Sequence, residues 1–388
     1  MNRRIDAWMI SVVMILIVLG LMMIYSASAM VAGEWSGDEA RYVKRQSIAI
    51  AIGLVLCVAS AVTPMRSFRR YQTLLYAACA TALVACLLPG ISVEVKGASR
   101  WIGYGSFHLQ PSEFAKIIVL ISMGDYIHRW RGHIHDPRVL LQSLWYPIPI
   151  MALIFLQPDF GTTAIVGGLA ALMLITAGMR LRHIAAAFGM VLILGIPMMI
   201  AEPYRVRRIT SFLNPWENAD GDAYNVIQSW LAMHSGGLWG QGLGNSVAKL
   251  HYLPEPWTDF IGAVLAEELG FVAIVGLISL FGILVWRGLH IARHARDPFS
   301  MYLATCLTAM FGFEAFFNLG VVMGMIPPKG LVLPFISYGS SAMISNLWAI
   351  GILLSIAAES DELPVHEGWA HSKKSRARAP TPATASQG

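Results

Sequence analysis

Charge is what this chain has least of. Only 13% of its residues are Asp, Glu, Lys or Arg, while 56% are hydrophobic; an ordinary soluble domain carries roughly 25% charged residues. A soluble fold of 388 residues would need far more polar surface over its core, so the composition fits the bilayer as solvent. Cysteine is also sparse. Cys57, Cys79, Cys86 and Cys306 lie singly inside apolar runs with no C-x-x-C pair, which argues against a disulfide framework and a zinc site. No P-loop, dinucleotide fingerprint or serine-hydrolase elbow occurs, which argues against ATP-driven work and a covalent serine intermediate. His128, His133 and His135 fall on the side read below as cytoplasmic, and no carboxylate cluster has clear metal-ligand spacing. The net charge of +5 does not indicate nucleic-acid binding, because the basic residues form short clusters between apolar runs, as topology signals do.

What the chain has in abundance is apolar length. Runs able to cross about 30 Å of hydrocarbon occur near 8–30, 44–63, 71–89, 113–128, 141–157, 160–178, 184–201, 259–286, 300–324 and 334–357. The first exceeds the ~7–15-residue apolar core of a cleavable signal peptide and reads as a retained helix. The expectation is an all-α polytopic membrane protein of about ten transmembrane helices, with both termini on one side. Placing the N-terminus in the cytoplasm puts 17 of the 28 Lys and Arg residues on inner segments: Arg3, Arg4, Arg66, Arg69, Arg70, Arg129, Arg131, Arg138, Arg180, Arg182, Arg287, Arg293, Arg296, Lys373, Lys374, Arg376 and Arg378. That satisfies the positive-inside rule.

Two outer segments stand apart, 90–112 and the long stretch 202–258 between helices seven and eight. The second is rich in Trp, Gly, Pro and Asn and is expected to pack as a small extracytoplasmic cap. Residues 1–358 then form one transmembrane domain, and 359–388 a disordered cytoplasmic tail of Ser, Ala, Pro and basic residues. No internal repeat is evident, which weakens a transporter reading based on inverted repeats.

The chemistry is carried by charges where topology disfavours them. Lys96, Arg100, Arg205, Arg207, Arg208, Lys249 and Lys329 fall on the outer side, and Lys116 lies just inside the fourth helix. Pairing with Glu94, Glu113, Glu202, Glu217 and Asp220, together with snorkelling, is one account. The other is an anionic ligand, a lipid phosphate or diphosphate held by Arg and Lys. Asp259 follows Leu253-Pro254-Glu255-Pro256-Trp257-Thr258 and precedes the apolar run at Phe260. Partial desolvation would raise its pKa and make it a better base, whereas the helix dipole pulls the other way; a cap or first-turn acid is the alternative. Glu267 and Glu268 lie two to three turns deeper. Counted as one helix from Asp259, Glu267 is about 80° away and Glu268 about 180°, so only Glu267 should reach the same cavity. Glu314 and Asn318 share a helix face, and Asp159 reads as a cap beside Gln157-Pro158.

Several longer motifs together resemble one family. Lys96-Gly97-Ala98-Ser99-Arg100-Trp101-Ile102 is followed by Gln110-Pro111-Ser112-Glu113-Phe114-Ala115-Lys116 and by Gln157-Pro158-Asp159-Phe160-Gly161-Thr162. Gly240 to Lys249, Leu253-Pro254-Glu255, Thr258-Asp259-Phe260-Ile261 and Glu267-Glu268-Leu269-Gly270 come next, then Pro334-Phe335-Ile336-Ser337-Tyr338-Gly339. Over residues 8–357, in order, these resemble the SEDS family (shape, elongation, division and sporulation). Leu243 to Lys249 and Pro328-Lys329-Gly330 are more similar to its FtsW-type, cell-division branch than to the RodA-type, elongation branch. Trp257 stands where the family usually has His, and Ser340 and Ala342 replace the usual Gly and Ser.

The resemblance implies a peptidoglycan glycosyltransferase in a bacterial inner membrane, its active site facing the periplasm at the division septum. It would join lipid II units to an undecaprenyl-linked glycan with release of undecaprenyl diphosphate. A class B penicillin-binding protein, other division proteins and membrane lipids would be its partners, and nucleic acid would not. Asp259 would be the catalytic base, with Arg100, Trp101, Glu113, Lys116, Arg205, Arg208, Lys329 and Ser337 as substrate-binding candidates. No cofactor is called for with certainty: a divalent cation (Mg²⁺ or Mn²⁺) is an alternative source of positive charge at the leaving group, and the sequence does not choose. The competing readings are a lipid II flippase, the elongation-type polymerase and a non-catalytic scaffold.

Overall fold

The computed structural model describes residues 6–90, 92–95, 98–104, 107–186, 189, 207, 210–219, 221, 223–250, 252–327 and 330–361. The helices are α1 (Ala7–Ser36), α2 (Arg41–Val62), α3 (Met65–Ala85), α4 (Pro111–Arg129), α5 (Pro137–Ser143), α6 (Pro147–Leu156), α7 (Phe160–Thr176), α8 (Tyr224–Gly236), α9 (Ile261–Arg293), α10 (Pro298–Val322) and α11 (Ser340–Asp361). Among the described residues six helical stretches are long and apolar enough to cross a membrane: α1, α2, the α5–α6 pair, α9, α10 and α11. The span expected at 184–201 lies largely outside the described residues.

Local sequence sets the helix ends. The α4 helix has Pro111 at its start, Glu113 in its first turn and His128 and Arg129 in its last, each suited to the helix dipole. Asp159 caps α7, accepting from the Thr162 amide at 3.2 Å, as the sequence indicated. Asp297 caps α10 through the Ser300 amide at 3.1 Å. The fifth span is two helices, because Pro147 starts a new one after a turn at 144–146.

The α4 helix is buried on nearly every side and α10 along most of its length, the pattern of central helices. The α11 helix packs along α2, and α4 touches α3, α7 and α10. One end of the bundle is stitched by ion pairs. Asp6 meets Arg287 at 2.7 Å, and buried Asp125 pairs with Arg69 at 2.9 Å and also with Arg129. These residues sit at the Arg-rich ends assigned to the cytoplasm. At the opposite end the chain forms a small three-stranded antiparallel meander, β1 (Ser92–Val95), β2 (Ala98–Tyr104) and β3 (Phe107–Leu109). The sequence reading had only a loop there.

The α9 helix is broken. Gly270 adopts φ 78° and ψ −178° inside it, a region open essentially only to glycine. The freed backbone groups are met by the chain after α8. Gln241 and Gly242 amides donate to the Glu267 and Glu268 carbonyls at 2.9 and 3.0 Å, while Phe271 and Val272 amides donate to Gly237 and Leu238 carbonyls at 2.9 and 3.3 Å. Such pairing lets an interrupted helix persist at membrane depth. Part of the long outer segment is thereby built into the bundle. Its Ala232, Ala248 and Leu253 pack with Phe260, Ala263, Val321 and Val322.

Candidate functional site at one end of the bundle

Asp259 lies just before α9, whose N-cap is Phe260, with no side-chain cap bond. The cap and first-turn readings are therefore corrected: this carboxylate belongs to the incoming turn. The helix-wheel phase counted from it also fails, since Asp259 is outside the helix. Half-buried, Asp259 stands where three chain segments converge.

The backbone around it is held at three successive carbonyls. The Tyr338 amide donates to the Trp257 carbonyl at 2.8 Å. The Ser337 hydroxyl donates to the Thr258 carbonyl at 2.7 Å and accepts from the Leu333 amide at 2.9 Å. The Asn318 side-chain amide donates to the Asp259 carbonyl at 3.0 Å and to the Leu331 carbonyl at 2.6 Å. Ser337 and Asn318 are buried. Together they join the 257–259 turn to the 331–338 loop, and a Cβ at Gly330 would stand 3.3 Å from an Asp259 carboxylate oxygen. Glu255 and Phe335, with φ of 50° and 65°, hold left-handed backbone in the same two loops, a strain that only a well-determined surrounding sustains.

The first turns of α2 close one flank. Tyr42 packs on Trp257 at 4.8 Å and edge-on to Tyr338 at 5.1 Å. Gln46, fully buried, donates to the Ser337 carbonyl at 3.4 Å and accepts from the Gly339 amide at 3.2 Å. Trp257, the departure from the usual His, thus serves as a packing surface for Tyr42. On the other flank the Gln110 backbone amide donates to the Ser341 hydroxyl of α11 at 2.9 Å, and its side-chain amide donates to the Asp159 carboxylate at 3.4 Å. Ser340 and Ala342 lie in the first turn of α11.

Below Asn318 the polar network continues inward. Glu314 lies one turn away on α10. Lys116 pairs with it and, at 2.8 Å, with Glu113; all three are buried. Glu314 Oε2 and Asn318 Oδ1 are buried without a partner among the described residues, so polar atoms line the inner side of the site.

The predicted cations divide sharply. Lys116 is neutralised by two carboxylates. Lys249 donates to Glu268 at 2.9 Å, to the Gly244 carbonyl at 2.6 Å and to Ser26 at 3.2 Å. Arg100 donates to the Gln157 and Pro158 carbonyls at 2.9 and 2.6 Å, which fixes the turn that carries Asp159. Trp101 lies on β2 opposite Val93 and is half-buried. Arg207 is exposed. Lys96, Arg205, Arg208 and Lys329 lie outside the described residues, as do Glu202 and Asp220.

Glu267, read as able to reach the Asp259 cavity, and Glu268, read as turned away from it, are both anchors. Glu267 accepts from the Ser246 hydroxyl, from Ser235 at 3.2 Å and from the Val247 and Ala248 amides at 3.1 and 3.2 Å. Glu268 takes both Lys249 and the Ser26 hydroxyl of α1, the latter at 2.6 and 2.7 Å. The sequence left Gln46, Tyr42 and Ser341 unremarked, and paired Asn318 only with Glu314. Their signal is long-range contact, which no local pattern carries. Among the described residues no three His, Cys, Asp or Glu side chains group as metal ligands would.

Fold and site together define a polytopic membrane protein with a rigidly held acid at one face of its bundle. The family model described as "Cell cycle protein", FtsW/RodA/SpoVE, matches residues 6–362, so this chain belongs to that family, the SEDS proteins. It is 38% identical over 372 residues to a probable peptidoglycan glycosyltransferase FtsW of Geobacter metallireducens, covering 93% of this chain and 97% of that one. It is 36% identical to stage V sporulation protein E of Bacillus subtilis, covering 92% and 97%. Among solved structures, a chain described under "Structural coordination of polymerization and crosslinking by a peptidoglycan synthase complex" matches with TM-score 0.75 at 25% identity, over 92% of this chain and 99% of that one. RodA of Thermus thermophilus matches in fold with TM-score 0.67 at 24% identity, over 92% and 98%.

Proposed function

We propose that this protein is a peptidoglycan glycosyltransferase of the FtsW type, polymerising lipid II at the periplasmic face of a bacterial inner membrane. Ten spans, a septal location and a class B transpeptidase partner are part of the reading. The observation that carries it is the clamp on three successive carbonyls, 257 to 259, which holds one acid at the outer end of a family-typed bundle. The names of the curated relatives favour the division branch over elongation.

In this reaction a sugar hydroxyl oxygen attacks the anomeric carbon of a lipid-linked unit. The bond from that carbon to the diphosphate oxygen breaks, and the lipid diphosphate departs with the electron pair. Asp259 takes the hydroxyl proton. A positioned base is worth roughly 10²–10⁴-fold, and a single acid suffices because no covalent glycosyl-enzyme is needed, unlike the paired acids of most glycoside hydrolases. Positive charge must meet the leaving diphosphate. Lys329, Arg205 and Arg208 are our candidates for it. Arg100 and Lys116 act one step back, through the Asp159 turn and the Glu314 contact.

The test is labelled lipid II supplied to the purified protein with its cognate crosslinking enzyme in proteoliposomes. The reading requires glycan polymer. Translocated but unpolymerised lipid II would make the protein a flippase.

A further inference from the structure

Of the 28 Lys and Arg residues, Arg41, Lys44 and Arg45 belong to neither the cytoplasmic set nor the outer cations singled out from sequence. They occupy the first turns of α2, at the outer end of the bundle. Lys44 is accounted for: its ammonium donates to both Asp38 oxygens at 2.9 Å and holds that carboxyl below its ordinary pKa. Arg41 and Arg45 make no ion pair or side-chain hydrogen bond among the described residues.

Their placement is unfavourable in three ways. They are like charges four apart on one helix face, which repel. They stand at a helix N-terminus, where the dipole opposes cations, and α2 has no acid in its first turn. They also lie on the side that topology disfavours for basic residues. An anion would relieve all three. They are also beside the site. Tyr42, between them in sequence, packs on Trp257, two residues before Asp259. Arg41, Arg45 and Glu255 all lie within electrostatic reach of the Tyr42 hydroxyl. By helical phase the Arg41–Arg45 stripe flanks the Tyr42–Gln46 stripe at about 60–100°. Ser36, Asp38, Arg41, Lys44 and Arg45 line a shallow hollow there, wide open at the surface.

We infer that Arg41 and Arg45 form a diphosphate-binding subsite at the entrance to the Asp259 site, taking the diphosphate of a lipid-linked sugar at the outer membrane surface. This rests on the polymerase reading and adds to it a second anion position, as joining two lipid-linked sugars requires. Guanidinium groups suit it, since each offers a planar fork to phosphate oxygens. Asp38 does not oppose the ligand, because Lys44 neutralises it.

The test uses the full-length protein in detergent with three probes: undecaprenyl diphosphate, inorganic diphosphate and phosphatidylglycerol. Wild type is compared with Arg41→Gln/Arg45→Gln and with Arg41→Lys/Arg45→Lys, which keeps the charge should the neutral pair fail to fold. The subsite predicts undecaprenyl diphosphate binding weakened roughly tenfold or more in the Gln pair and less in the Lys pair. Inorganic diphosphate should compete, and phosphatidylglycerol retention should not change. With the crosslinking enzyme present, KM for lipid II should rise by a similar factor while kcat holds within about twofold. Unchanged undecaprenyl diphosphate binding in the Gln pair, or in the Lys pair if only that folds, overturns the subsite. Equal loss of phosphatidylglycerol also overturns it, assigning the arginines to headgroup contact. Binding lost in the Gln pair as predicted, with a wild type that binds but polymerises nothing, would leave the subsite standing and remove the polymerase reading instead.

Discussion

Asn318→Ala is the most informative test of how the site is held. The side chain is buried on α10 and gives one hydrogen atom to the Asp259 carbonyl and another to the Leu331 carbonyl. Removing it leaves both carbonyls without that donor, at roughly 1–3 kcal/mol for each buried group, so a loss on the order of 2–6 kcal/mol is expected if nothing relaxes. The Thr258 and Trp257 carbonyls keep their own partners, so the turn should stay folded and shift. A misplacement near 1 Å costs on the order of 10²-fold in rate. The expected outcome is kcat for lipid II polymerisation reduced about 10–100-fold with KM within about threefold, measured with the crosslinking partner on protein that elutes normally. Asn318→Asp keeps the shape but loses the donor and brings a second carboxylate toward Glu314; it should be no better than Ala. If Asn318→Ala retains more than half of the wild-type kcat at unchanged Tm, the clamp does not position the acid and the reasoning is wrong.

Three further outcomes follow from the same network. Gly270→Ala would force a Cβ to 2.4 Å from both the Gly240 nitrogen and the Leu238 oxygen in a backbone region closed to alanine; yield of folded protein in detergent should collapse, and normal yield and Tm would mean that the break in α9 is not required. Lys249→Met strands buried Glu268, at about 3–5 kcal/mol, and Lys249→Met/Glu268→Gln should recover part of the lost Tm; strictly additive losses would show that the two are uncoupled. Lys116→Met leaves Glu113 and Glu314 facing each other without a cation, and should lower Tm more than Lys44→Met at the exposed Asp38 pair; equal shifts would contradict the buried triad.

The six membrane-length helices were legible because apolar length is a local property, and the Arg-rich segments between apolar runs were legible because charge sign is. Partners are not local. Lys116 has Glu113 three residues away, visible in sequence, but Glu314 is on another helix. Lys249 is likewise matched by a glutamate on α9, and Arg100 by carbonyls of the Gln157-Pro158 turn. A rule that counts outer cations therefore proposes more ligand-binding charge than the fold leaves available. The phase argument for Glu267 failed because α9 begins after Asp259, and both glutamates are drawn instead to the 235–249 segment and to α1. The meander at 92–109 was hidden by its short strands. Arg41 and Arg45 escaped notice because they sit at the boundary between loop and span, where hydropathy assigns residues to neither.

The central claim is that Asp259 removes the proton from the attacking hydroxyl, and the direct measurement is lipid II polymerisation by purified Asp259→Asn protein bound to its crosslinking enzyme. The account predicts polymer reduced by roughly 10²-fold or more, with Tm and complex formation equal to wild type. Glycan made by Asp259→Asn at the wild-type rate would contradict it.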